Sequence, residues 1–251
     1  MSCRCCETRD TRVRSTIYNQ TFMDPSRIAQ LLRPFLRGSH EAESFELGVQ
    51  QLQYISTYID ILLRWNARIN LTAIRDPEEI VTRHFGESFF AARHLFTPCA
   101  SVSPVVKGIE VADVGSGAGF PGIPLKLWAP EISLTLVESN HKKATFLREV
   151  TRTLTLMDIN IQNSRAEALP PASFDVVTLR AVERFESTLP TAAALVKPQG
   201  RLALLIATPQ LPQARSILST YHCQDPQPIP NSRSRVLLIA ERILGRSIQP
   251  S

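Results

Sequence analysis

The chain has 251 residues, 43% of them hydrophobic and 20% charged, with a formal net charge of +5 and an isoelectric point near 9.1. These values are ordinary for a soluble globular protein and leave room for one large domain, or one domain with a helical extension. They argue against a membrane-spanning chain, because no apolar run approaches the ~18–20 residues of a span, and against a disulfide framework, because five cysteines make an odd set.

Residues 1–22 carry no hydrophobic period and are expected to form a flexible tail. Their arginines (Arg4, Arg9, Arg12, Arg14) precede no apolar signal core, and the unpatterned cysteines suit a reducing cytosol, so a cytoplasmic protein is expected. Cys3, Cys5 and Cys6 have no second Cys or His pair at ligand spacing, and no metal site is expected. The positive excess is spread over both halves of the chain. It suits contact with a polyanion without demanding it, since a solvated surface explains it equally well.

From Asp24 the pattern predicts a helix: Asp at the N-cap, Pro25 next, then Ile28, Leu31, Leu32 and Phe35 at helical spacing, with Gly38 ending it. A longer helix is predicted from about Ser44 to Ile69, where Leu47, Leu52, Ile55, Ile59, Leu62 and Leu63 form a core-facing stripe beside Tyr54 and Tyr58. Asp76-Pro77-Glu78-Glu79 starts another helix, carrying Ile80, Val81, His84 and Phe85, and a further one holds Phe89, Phe90 and Leu95. Residues 97–107 read as a connection. The helical region is therefore 23–108, followed by an α/β domain over 109–251.

In that domain strands are predicted at 109–114, 133–138, 159–162, 174–179, 201–206 and 235–242, alternating with helices at 120–128, 141–153, 186–196 and 211–220. Repeated β-α-β units imply a doubly wound, Rossmann-like parallel sheet with right-handed crossovers. Its ligand belongs beyond the strand C-termini. The place is marked by Asp113-Val114-Gly115-Ser116-Gly117-Ala118-Gly119-Phe120-Pro121-Gly122, which gathers four of the chain's ten glycines where a strand turns into a helix. Such a turn lets backbone approach a ligand closely and offers the unpaired N–H groups of a helix start.

Gly117 to Gly122 also fits the dinucleotide pattern G-x-G-x-x-G, with Glu138 ending the next strand 21 residues after Gly117. Three features favour S-adenosylmethionine instead. An acid, Asp113, directly precedes the loop. Ser164-Arg165-Ala166-Glu167 follows the third strand, where an adenine edge would lie. Phe174-Asp175-Val176-Val177 opens a fourth strand whose end, Thr178 to Ala181, points at a methyl-transfer centre. No polar-Pro-Pro-aromatic run for exocyclic amine transfer stands there, and no nucleophilic Cys for pyrimidine carbon-5 chemistry.

The chain then resembles the bacterial 16S ribosomal RNA guanine-N7 methyltransferases, also called glucose-inhibited division protein B. The resemblance runs from about Leu47 to Ile206. It is carried by Trp65-Asn66, Asn70-Leu71-Thr72, Arg83-His84-Phe85 with Glu87-Ser88, the glycine loop, Lys142-Lys143, Phe146-Leu147, Arg165-Ala166-Glu167, Phe174-Asp175 and Arg180-Ala181. It implies a class I methyltransferase fold with an N-terminal helical extension. It also implies methylation of guanine N7 in 16S ribosomal RNA within the small ribosomal subunit or an assembly intermediate; the sequence does not fix the oligomeric state, with a monomer favoured.

By that resemblance Gly115, Phe120, Ala166, Glu167 and Arg180 contact S-adenosylmethionine; the loop pattern adds Gly117, and Glu138 as the acid at the end of the second strand that holds the ribose hydroxyls. Asn70, His84, Lys142, Lys143 and Arg165 lie on the RNA side, and Arg180, Asn70 and His84 are the catalytic candidates. Other readings stand beside these: Arg180 paired with Asp175 or Glu183, His84 as a packed helix residue, Lys142 and Lys143 on a solvated helix face, and Asn66 and Asn70 as helix-end caps. Three departures mark the chain. It has Leu179-Arg180-Ala181 where the family often has Ser-Arg-Ala, Leu204-Leu205-Ile206-Ala207 where a Lys often ends the fifth strand, and residues 1–22 lie outside the pattern.

Overall fold

The computed structural model describes residues 23–38, 45–96, 108–180 and 184–243; the expected tail over 1–22 and the connection over 97–107 lie outside them. Helix α1, Pro25–Leu36, starts where Asp24 accepts a hydrogen bond from the Ser26 N–H at 2.9 Å, and it buries Ile28, Leu32 and Phe35. Helix α2, Val49–Asn66, is shorter than the predicted 44–69 span, and side chains set both ends. Gln51 accepts from the Gly48 N–H at 2.7 Å. Asn66 Oδ1 accepts from the N–H groups of Leu71 (2.9 Å) and Thr72 (3.1 Å), while its Nδ2 donates to the Thr72 carbonyl at 2.9 Å. An asparagine that satisfies the outgoing backbone in this way ends a helix and fixes the loop after it.

Asp76 caps the next start, accepting from Glu79 N–H at 2.8 Å. The two helices predicted here form one continuous rod: α3, Pro77–Glu79, then a π-helical segment, Ile80–Gly86, then α4, Glu87–Phe96. A π segment inside a helix is uncommon and often marks a functional site. Its last residue is a glycine for a packing reason, since a Cβ on Gly86 would fall 2.6 Å from the Phe35 ring of α1.

The second half contains β1 (Glu110–Val114), α5 (Gly122–Trp128), β2 (Ser133–Val137), α6 (His141–Thr153), β3 (Ile159–Gln162), β4 (Phe174–Arg180), α7 (Phe185–Leu195), β5 (Val196–Ala207), α8 (Leu211–Ile217), β6 (Tyr221–Cys223), β7 (Gln227–Pro228) and β8 (Arg235–Arg242). The sheet order is β3-β2-β1-β4-β5-β8-β6, with β7 alongside β8. Strands β1 to β5 are parallel, whereas β8 runs antiparallel to β5, β6 and β7. The expectation of a wholly parallel sheet is corrected at this edge. The link from β7 to β8 is too short for a crossover, which needs a dozen or more residues, so the pair forms a hairpin and β8 is reversed.

Alternate residues along the strands face two different layers. Val111, Leu134, Leu136, Val176, Ala203, Leu205 and Leu237 pack under α1, α2, the π segment, α4, α5 and α6. Ala112, Val114, Val177, Leu179, Leu202 and Leu204 pack under α7 and α8. The change of pattern at 108/109 is thus crossed by a single core, because the N-terminal helices share their hydrophobic cluster with one face of the sheet. Among the described residues no helix is long and apolar enough to cross a membrane.

Candidate active site

The register aligns the ends of the parallel strands: Val114 lies beside Val137 and Leu179, and Val137 beside Gln162. The segments that follow, 115–122, 138–140, 163–168 and Arg180, therefore line one edge. Ligands of open α/β sheets bind at such carboxyl edges, where successive strands depart in opposite directions. Here that point lies between β1 and β4.

The glycine loop is built by its neighbours. The N–H groups of Gly115 and Ser116 both donate to the Val137 carbonyl, at 2.9 and 3.1 Å. Glu138 Oε2 accepts from Gly117 N–H at 2.9 Å and Oε1 from Asn140 N–H at 2.7 Å, so this buried carboxylate fastens the loop to the start of α6. Gly115, Gly117 and Gly119 have φ of +69°, +55° and +85°, the left-handed region that disfavours any side chain. Gly115 is exposed, which leaves its backbone open at the edge.

Asp113 lies beneath the loop. Only 1% exposed, it accepts from Thr178 Oγ1 at 2.8 Å and from Gly122 N–H at 3.2 Å, tying β1 to β4 and to the first turn of α5. Burial pushes its carboxyl up to about 6, outweighing the hydrogen bonds and the Arg180 charge that pull it down. It is a structural acid.

Above the loop, three rings form a column. Phe120 stacks on Tyr58 of α2 (centroids 5.2 Å apart, planes 5°) and, on its other side, on His84 of the π segment (4.7 Å, 18°). Arg180, at the end of β4, donates to His84 Nδ1 at 2.9 Å and to the Arg83 carbonyl at 2.8 Å. A guanidinium can only donate, so Nδ1 accepts and the ring proton sits on Nε2, which donates to Thr72 Oγ1 at 2.8 Å. Burial, reinforced by Arg180, Arg83 and Arg235, lowers the His84 pKa to about 2, which keeps the imidazole neutral. Glu87, 1% exposed, completes the node, with Arg180 at 3.1 Å, Arg83 at 3.2 Å and Arg235 at 3.1 Å.

The fold brings several residues singled out from the sequence together. His84 and Arg180 touch across 96 positions, and Gly117 meets Glu138 across 21. Ala166 is buried at the start of a 3₁₀ turn, Ala166–Ala168, with Arg165 and Glu167 exposed beside it. Lys142 is exposed and Lys143 half-buried at the start of α6, while Asn70 is exposed on the loop that Asn66 holds. The Phe120 ring faces the interior. Arg180 pairs with Glu87 rather than with Asp175, which binds Lys197 Nζ at 3.1 Å; Glu183 lies outside the described residues. In the sequence reading Glu87 stands only in a motif of the resemblance and Thr178 only in the strand end aimed at the methyl-transfer centre, while Tyr58 and Arg235 have no functional role. Glu87 had a visible signal, as a lone carboxylate amid Phe85, Gly86, Ser88, Phe89 and Phe90; Arg235 had none.

Two substitutions test this geometry. Glu87→Gln leaves Arg180 and Arg235 without their carboxylate, while Arg83 keeps Glu79 at 3.6 Å, and urea unfolding should show a loss of roughly 3–5 kcal/mol. Asp113→Asn keeps both contacts, with the amide oxygen facing Gly122 N–H and the amide nitrogen facing Thr178. A carboxyl whose folded pKa is raised stabilises the fold below its unfolded value, and that contribution is lost as pH rises to about 6. The asparagine does not titrate. Between pH 4 and pH 7 the stability difference should therefore move in favour of Asp113→Asn, by up to about 3 kcal/mol.

Comparison with known proteins agrees with this architecture. The GidB family model, described as rRNA small subunit methyltransferase G, matches residues 51–216. A protein named ribosomal RNA small subunit methyltransferase G from Xanthomonas euvesicatoria is 42% identical over 146 residues, which cover 58% of this chain and 64% of the relative. One of the same name from Halorhodospira halophila is 38% identical over 173 residues, 69% of this chain and 78% of the relative. Among solved structures, a magnesium protoporphyrin IX methyltransferase from Synechocystis shares the fold with a TM-score of 0.57 and 16% identity, over 75% of this chain and 93% of that one. A ribosomal protein L11 methylase from Lactobacillus delbrueckii does so with a TM-score of 0.51 and 20% identity, over 64% and 79%. The fold is that of the class I methyltransferases, and the chain belongs to the rRNA small subunit methyltransferase G family.

Proposed function

We propose that this chain transfers the methyl group of S-adenosylmethionine to N7 of a guanine in 16S ribosomal RNA of the small ribosomal subunit. One observation carries the reading: the glycine loop, fastened by Glu138 at the carboxyl edge of the sheet, stands inside the segment matched by the family. The loop suits an adenosyl group, because three left-handed glycines keep side chains away and Gly115 presents open backbone. Gly115 and Gly117 would hold the methionine end. Glu138, whose oxygens each accept one backbone N–H, keeps further lone pairs for ribose hydroxyls. Ala166 and Glu167 would border the adenine.

The cofactor supplies an electrophilic sulfonium methyl. Guanine N7 offers a lone pair and carries no proton, so attack needs alignment and proximity rather than a general base. The polar groups near the loop fit that demand. Both nitrogens of His84 are engaged and its pKa is about 2, while Asp113 is sealed beneath the loop. Arg180, fixed by Glu87 and His84, acts in this reading by shaping the wall at the end of β4. Asn70 stands on the substrate side, and Lys142, Lys143 and Arg165 stand where RNA phosphates would pass.

The test is to map 7-methylguanine by chemical cleavage in 16S RNA of small subunits incubated with S-adenosylmethionine, with and without the purified protein. A single new cleavage site is expected. Cofactor binding without any methyl incorporation would instead make the chain a silent adenosyl-binding protein. A second measurement concerns the lysines: Lys142→Ala combined with Lys143→Ala should weaken RNA binding and reduce the slope of log K against log[salt] by about 1–2. An unchanged slope places both lysines on a solvated face.

A further inference from the structure

Tyr58 lies on α2, yet its hydroxyl donates to the carbonyl of Ala118 in the glycine loop. The side chain is fully buried, stacked on Phe120 and edge-on to Phe85 (5.3 Å, 89°). Burial, and next the Asp113 charge, hold the phenol pKa well above its usual value, so the group remains a donor. The lack of a side chain at residue 119 gives the phenol its passage, since a Cβ on Gly119 would collide with the Tyr58 hydroxyl and lie 2.7 Å from Ile123 Cδ1. Packing explains the ring, and phenylalanine would supply the same ring. The hydroxyl is what packing leaves unexplained.

The loop has other anchors, among them the turn bond from the Gly119 N–H to the Ser116 carbonyl at 2.7 Å and the Ser116 hydroxyl donating to the Asp113 carbonyl at 2.8 Å. Gly115, Ser116 and Gly117 are held by Val137 and Glu138, and the Gly119 carbonyl accepts the Ile123 N–H of α5 at 2.9 Å. Between these, Ala118 is held from the helical layer. We propose that Tyr58 is a positioning residue for cofactor binding, acting through the Ala118 carbonyl and the Phe120 ring to keep the glycine loop in its receiving conformation. The proposal rests on the reading of this loop as an S-adenosylmethionine site. Without the hydroxyl a buried carbonyl loses its donor, and the loop gains by moving that carbonyl toward water. Apparent affinity then falls by the fraction of protein that leaves the receiving state.

The experiment is calorimetric titration of the full chain with S-adenosylhomocysteine, for wild type, Tyr58→Phe and Tyr54→Phe. Tyr54 is a matched control: it lies one turn earlier on α2, with its hydroxyl 3.3 Å from Thr155 Oγ1 on an exposed surface. Tyr58→Phe should weaken binding on the order of tenfold, ~1.4 kcal/mol, with KM for S-adenosylmethionine rising and kcat retained, while Tyr54→Phe binds as wild type. A folded Tyr58→Phe protein whose Kd stays within about twofold of wild type overturns the proposal, because a merely structural tyrosine lowers Tm without touching Kd. Should Tyr58→Phe not fold, 4-fluorophenylalanine incorporated at position 58 carries the test: it fills the place of the hydroxyl without donating, so weakened binding supports the proposal and an unchanged Kd refutes it. Wild-type protein that binds no S-adenosylhomocysteine overturns the functional reading itself, an outcome visible before any variant is compared.

Discussion

The structure depends on one buried carboxylate. Glu87 begins α4, directly after the π segment, and faces guanidiniums from three places: Arg83 one turn back, Arg180 at the end of β4, and Arg235 at the start of β8. Isolated charges this deep are costly, and the cost is offset only where partners are close and hydrogen bonds are satisfied. The three contacts come from the π segment, β4 and β8, so the node joins the helical layer to the carboxyl edge of the sheet. It also places His84, which Arg180 grips from the sheet side and Thr72 from the loop side, so that the imidazole stacks on Phe120 of the glycine loop.

Seen from this node, the N-terminal helices form one wall of the site. Helices α1 and α2, the π segment and α4 share their core with α5, α6 and one face of the sheet, and they reach the loop through Tyr58 and His84. The wide turn of the π segment belongs to the same arrangement. The Arg83 carbonyl is taken by Arg180 and the His84 carbonyl by Ser88 Oγ at 2.6 Å, so side chains occupy helical acceptors around this turn. On the other side of the loop Asp113 and Glu138 divide two tasks. Asp113 ties the strands below, and Glu138 ties the loop to the next helix while remaining at the edge.

The electrostatics of the edge suit a reaction without proton abstraction. The imidazole is neutral with both nitrogens engaged, Asp113 is buried beneath the loop, and the arginine at the end of β4 is held by Glu87 and His84. Groups held by their partners in this way orient a reactant. Lys142, Arg165 and Glu167 are exposed on the segments that follow β2 and β3.

Much of the fold was legible in the sequence because local patterns specify it. The 109–114, 159–162 and 235–242 strands, the 141–153 helix and the Asp24 and Asp76 caps follow from periodicity and capping chemistry that act within a few residues. The glycine loop was legible for the same reason, since left-handed turns select glycine wherever they occur. Long-range geometry decided the rest. The reversal of β8 depends on which strand it joins, and the shortness of α2 on what Asn66 reaches beyond its own helix. The partner of Arg180 was sought in Asp175 or Glu183, yet it is Glu87, 93 residues away, because the carboxyl edge of β4 meets the π segment only in the folded chain. Tyr58 carried a helical period and nothing more in the sequence. Its hydroxyl acquires an acceptor only when α2 lies across the loop, since a hydrogen bond is set by where two groups end up in space, and periodicity records only that a side chain is buried.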